Sequence, residues 1–403
     1  MVFLKKCYKK AFYLLLKNKL TFLFLFVIFQ QNSFSQNSVL WGGLKEGKYK
    51  VGFKYVEKYD ESRFIDSGKT NRPLQISIWY PAEVKETGNR LYYKDYIALT
   101  AHEINFENSS DSSRNNVIEN YEQLMVSNGV PLKAVKLFMN SGMSAYLNAK
   151  AVSGSFPLVI VGQGNFHPSA NLSILCEYLA SHGYYVATCA SPTRITGQIT
   201  DTTQIYQYAL DQRDDMKFIF DELKTYANVD YNELGVIGYS FGGRSGFLLL
   251  NDFDIVKVFI SLDSGFANKI GKHWLDGITI NTGKITVPIL HIYQDIESFV
   301  VPDFELVNSL VNSERYLIKV EDMKHGFFYN LGMAIGVIPG FDLPGVDKDS
   351  TKMKFETVNQ ITLAFLNTYL KEEDNKYWMR TFSNKSNLQS LITVKELKKG
   401  FTK

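Results

Sequence analysis

Cysteine is scarce: three occur in 403 residues, and one of them, Cys7, lies in an N-terminal basic stretch. So few cysteines exclude a small fold framed by disulfides. Cys176 falls in a helical pattern and Cys189 at the end of an apolar strand, and both read as buried free thiols. No C-x-x-C, H-E-x-x-H or EF-hand spacing occurs, so no metal site is expected. A large charge of either sign is also missing. The formal net charge of +3 is too small to point to nucleic acid. There is no internal repeat and no Pro/Ser-rich linker. What is plentiful is apolar material, at 45% of residues, enough to bury a substantial core.

A long hydrophobic run is missing as well. Lys5, Lys6, Lys9, Lys10, Lys17 and Lys19 precede an apolar stretch from Leu20 to Phe29, followed by polar QQNSFSQ. That stretch falls short of the ~20 residues a spanning helix needs. Basic region, short apolar core and small residues at Ser33 and Ser35 predict a signal peptide over 1–35, cleaved before Gln36. Residues 11–16 are apolar too, so an uncleaved membrane anchor is the alternative. The expected location is secreted or periplasmic.

From 36 to 403 the chain reads as one domain. Residues 49–59 and 73–80 form strands; in PLQISIWYP, Leu74, Ile76 and Ile78 alternate with polar partners. Residues 91–150 read as a helical insertion, with helical patterns in VIENYEQLMV and in LKAVKLFMNSGMSAYLNA. Beyond Phe156, apolar strands at 156–161, 184–189, 234–237, 256–262, 287–293 and 315–320 alternate with helical patterns, the last at 354–370. This rhythm predicts an α/β fold, a mostly parallel central sheet with helices on both faces. Ligands of such sheets bind beyond the carboxyl ends of the strands. Residues 330–349 read as a glycine-rich loop and 371–403 as a C-terminal tail.

Gly238-Tyr239-Ser240-Phe241-Gly242 follows one such strand and opens a helix. In this context G-x-S-x-G is the turn that presents a nucleophilic serine, its glycines allowing close backbone approach. The stretch GYSFGGRS also nearly matches a phosphate-binding loop, but Arg244 stands where that loop needs lysine. A dinucleotide fingerprint starting at Gly162-Gln163-Gly164 fails at its third glycine, where His167 stands.

Ser240 needs a base, and the chain order Ser, acid, His places that base after the last strand. Of six histidines only His325 qualifies, in MKHGF. His102, His167, His182 and His273 read as surface or capping residues, and His291 as a core histidine. The acid that orients the base is Asp263, at the end of VKVFISL, or Glu297 or Asp295 after the next strand. Asp263 is favoured because a buried carboxylate suits its position. The oxyanion needs two N–H donors: the backbone N–H of Phe241 is one, and Asn165, in the loop after 156–161, is the choice for the other.

Together RPLQISIWYPA, FPLVIV followed by GQG, LASHGYYVA, GYSFGG, SLDSG and KHGFF resemble platelet-activating-factor acetylhydrolase and the bacterial esterases near the dienelactone hydrolases, over residues 47–370. The resemblance implies an α/β-hydrolase domain, an acid about two dozen residues after the serine, which is Asp263, and a donor at Asn165. It also implies calcium-independent hydrolysis of short acyl esters without a cofactor. Gln163, where the family usually has histidine, and Arg244, where it has a small residue, depart from the pattern. The expected activity is a serine carboxylesterase acting through an acyl-enzyme. A serine peptidase and a non-catalytic binding protein of the same fold are the alternatives. The expected partner is a small-molecule or lipid-like ester, met in solution or at a membrane surface, and not nucleic acid.

Overall fold

Alternating apolar strands and helices build a single large sheet. The computed structural model describes residues 38–400 apart from 66–68, 86–87, 197–201, 274–279 and 374–389. The expected signal peptide and its cleavage site lie outside the described residues. The strands are β1 (Lys50–Ile65), β2 (Thr70–Glu83), β3 (Arg90–Tyr92), β4 (Gly142–Leu147), β5 (Lys150–Ala151), β6 (Phe156–Gly162), β7 (Tyr185–Thr188), β8 (Val229–Tyr239), β9 (Val256–Leu262), β10 (Ile289–Tyr293), β11 (Arg315–Val320) and β12 (Ile392–Leu397). They lie in the order β12-β11-β10-β9-β8-β6-β7-β2-β1-β4-β3, with β5 beside β2. From β11 to β7 every neighbouring pair is parallel. β1 and β2 form a long antiparallel hairpin that joins this parallel block through β7.

The parallel strands are apolar on both faces because both faces are covered. In β6, Val159 and Val161 pack into one core, with helices Ser173–Ser181 and Lys348–Leu370. Leu158 and Ile160 of the same strand pack into the other, with helices Thr202–Leu223 and Phe241–Leu249. The long helix Lys348–Leu370 starts where Asp347 accepts the Ser350 N–H at 3.0 Å, a side-chain cap on an otherwise unpaired donor.

Three expectations are corrected. The second helical pattern of the insertion ends at Met139, and GMSAYL is strand β4, parallel to β1. A short apolar run of that length fits strand or helix equally, and pairing with β1 decides it. The expected loop after the base begins as helix Asn330–Val337. Its glycines serve close packing: a Cβ on Gly332 would sit 2.2 Å from the Phe327 carbonyl oxygen. The C-terminal tail contributes β12, paired antiparallel along β11 over six residues. Among the described residues no helix is long and apolar enough to cross a membrane.

Candidate active site

The chain leaves β8 at Tyr239 and turns at once into helix Phe241–Leu249. Ser240 makes the turn at φ 52°, ψ −116°, a backbone state that side chains with a Cβ rarely adopt. The flanking glycines have no alternative. A Cβ on Gly238 would lie 2.3 Å from Gly243 Cα, and one on Gly242 would lie 2.2 Å from the Gly162 carbonyl oxygen. The turn is pinned further by the Ser240 N–H donating to Leu262 O at 3.0 Å.

His325 opens a 3₁₀ turn after β11, and its ring reaches both partners. Nε2 lies 2.9 Å from Ser240 Oγ, and Nδ1 lies 2.7 Å from Asp263 Oδ2. A carboxylate at Nδ1 keeps the proton there, which leaves Nε2 to accept from the serine hydroxyl. Tyr239 stacks on the imidazole at 5.1 Å, and its hydroxyl donates to the His325 carbonyl at 3.0 Å. Burial holds that phenol well above its ordinary pKa, so it stays a neutral donor.

Asp263 is buried at the end of β9, itself at a positive φ of 43° that aspartate tolerates better than most residues. Its Oδ1 accepts the Gln294 N–H at 3.3 Å. Glu297 and Asp295 do not meet the imidazole. Glu297 accepts the backbone N–H of His325, while exposed Asp295 pairs with Lys319 at 3.3 Å. Sequence reasoning missed Gln294. This fully buried amide accepts the Ile296 and Glu297 N–H groups at 2.9 Å each, so one short loop touches both Asp263 and His325. A lone glutamine after an apolar strand gives no signal for that.

Asn165 and Phe241 line a cleft of about 160 Å³ at Ser240, together with Arg244, Asn268, Phe299 and His325. Arg244 is buried, its guanidinium 5.0 Å above the Phe241 ring. Of the other histidines, His291 is in the core, bonded to Ser261 Oγ at 2.8 Å and pushed down to about 3 by burial. His102 is corrected from a surface residue: it is buried against Glu57 and lies 2.9 Å from Gln75. His182 bonds the Tyr178 carbonyl at 2.8 Å. The side chain of His273 lies outside the described residues. Among the described residues no three His, Cys, Asp or Glu side chains gather as metal ligands would, and Cys176 and Cys189 are buried free thiols.

The architecture is the α/β-hydrolase fold, with a serine, a histidine and an aspartate in hydrogen-bonded series beyond the carboxyl ends of its parallel strands. A ferulic acid esterase from Streptomyces cinnamoneus is similar in structure, with a TM-score of 0.57 and 18% identity over 87% of this chain and 97% of that one. At that identity the likeness shows the fold alone. Comparison with family models and with curated proteins finds no match.

Proposed function

We propose that this chain is an exported serine esterase that hydrolyses carboxylic esters of short acyl groups. The observation that carries the reading is the unbroken series from Ser240 Oγ through the His325 ring to Asp263, at 2.9 and 2.7 Å. The likeness to a ferulic acid esterase supports ester hydrolysis in general, and the 160 Å³ cleft suits a small acyl group.

In this reading Ser240 Oγ attacks the ester carbonyl while His325 Nε2 takes its proton. The carbonyl oxygen becomes an oxyanion facing the N–H groups of Phe241 and Asn165. As the intermediate collapses, the alcohol leaves with the proton from His325, and the acyl group stays on Ser240. Water then attacks the acyl-enzyme, gives its proton to His325, and releases the acid. Asp263 stabilises the imidazolium of both halves without itself gaining a proton.

Ser240→Ala should abolish turnover of a short acyl ester, leaving no more than the ~10³–10⁴-fold over water that an oxyanion hole and binding supply. A serine-directed organophosphonate should label the wild type at Ser240 in peptide maps. Near-normal turnover by the variant, or a label elsewhere, would move the nucleophile. Comparing an ester with its matching amide separates esterase from peptidase.

A further inference from the structure

The loop that brings Asn165 to the serine cleft turns its next residues into a second, larger cavity. This cavity holds about 400 Å³, within the range of small-molecule sites. Phe166, His167 and Tyr329 line it from the main domain, and Tyr121 and Leu124 from the insertion helix Asp111–Ser127. Four of these five side chains are rings. Phe166 is 48% exposed and Leu124 54%, so each keeps apolar surface that a flat ligand would cover. Phe166 is held in this place at a positive φ of 59°, its N–H donating to Thr193 Oγ1 at 2.9 Å.

The charges in the cavity are already matched. Arg194 also lines it, but its Nε donates to buried Glu103 at 2.6 Å. Burial, with His325 and Arg194 nearby, pushes His167 down to about 3, so its ring is neutral at ordinary pH. These walls suit an uncharged aromatic group with polar substituents, not an ionised one.

A stack of rings links the cavity wall to His325. His167 stacks on Tyr239 at 5.4 Å, Tyr239 stacks on His325 at 5.1 Å, and Tyr329 meets His167 edge-on at 4.9 Å. A leaving alcohol takes its proton from His325, so it departs on the side of that ring. We infer that, given the esterase reading, the larger cavity seats an uncharged aryl group in the alcohol half of the ester, while the serine cleft takes the short acyl half.

The isomers benzyl acetate and methyl phenylacetate test this, with ethyl acetate as reference. Wild type should prefer benzyl acetate to both by about tenfold or more in kcat/KM. Val117 lines the cavity from the same helix, and Val117→Trp should collapse the ratio of benzyl to ethyl acetate. Leu137→Asp, at a 43% exposed position outside the cavity, should leave that ratio unchanged. Circular dichroism checks that the variants fold. A ratio unmoved by Val117→Trp, or a preference for methyl phenylacetate, overturns the inference. Binding of N-benzylacetamide to Ser240→Ala, followed by calorimetry, decides the matter without turnover. If wild type cleaves no ester, the esterase reading fails, yet binding lost in Ser240→Ala/Val117→Trp still supports the aryl site. No binding to Ser240→Ala removes it.

Discussion

Asp263 and Glu177 are carboxylates hidden almost equally from water, at 2% and 0% exposure, but their surroundings differ in kind. Asp263 faces an imidazole at 2.7 Å that can become a cation. Glu177, in helix Ser173–Ser181, faces only neutral donors: the Tyr96 hydroxyl at 2.8 Å, the Ser144 N–H at 2.9 Å and the Trp41 indole N–H at 3.1 Å. Burial pushes Glu177 up to about 7 in spite of those bonds and the Ala145 N–H beside them. At Glu177, hydrogen bonds from neutral groups do not offset the desolvation of the charge. One region is arranged around a group able to accept a proton. The other ties the segment before β1, the insertion and β4 to a core helix.

The widest separation between the two regions should come from removing each charge while keeping its shape. Asp263→Asn should lower kcat by up to ~10⁴ through the wrong histidine tautomer, with little change in KM. Retained turnover in steady-state kinetics would return the orienting role to Glu297 or Asp295. Glu297→Gln should stay within about tenfold, because the amide oxygen can still accept the His325 N–H, and exchanging a charged acceptor for a neutral one costs about 1 kcal/mol. A loss as large as that of Asp263→Asn would show that the loop, not the carboxylate at Nδ1, governs the base.

Glu177→Gln should leave kcat almost unchanged and alter the pH dependence of stability instead. The folded pKa of Glu177 lies above the ordinary carboxyl value of 4.5, at about 7, so the folded chain holds this proton more tightly than the unfolded one. Its contribution is therefore fully present below pH 4.5 and is lost as pH rises through 7, by on the order of 3 kcal/mol. Denaturant melts at pH 4.5, 6 and 7.5 should show wild type losing stability relative to Glu177→Gln across that window. Parallel profiles for the two proteins would mean the carboxylate is relieved by groups other than these neutral donors.

What the residues disclosed in advance follows from the range of the interactions involved. The parallel strands, and the places of Ser240 and His325, rest on local patterning and chain order. Both are written along the chain. The sequence favours Asp263 over Glu297 and Asp295 without excluding them, because strand ends alone do not say which side chain faces the ring; the lateral order β8-β9-β10 brings Asp263 there. ITVKEL is half polar and reads as tail; only its pairing with β11 makes it strand β12. Glu177 sat unnoticed in SILCEYLAS, since its partners come from 33, 81 and 136 residues away. The larger cavity is likewise a product of packing between the insertion and the loop after β6.

The backbone at Ser240 sets the mutational fate of this protein. Glycine adopts φ 52° freely, whereas a serine held there is strained by about 1–3 kcal/mol. Ser240→Gly should accordingly melt at a higher temperature than Ser240→Ala; equal melting temperatures would mean the turn stores no strain. In the proposed esterase, chemistry and stability thus ask for different residues at this position. Drift toward stability favours glycine, a replacement that would end that chemistry, and a descendant released from the need for turnover would gain robustness by losing Ser240.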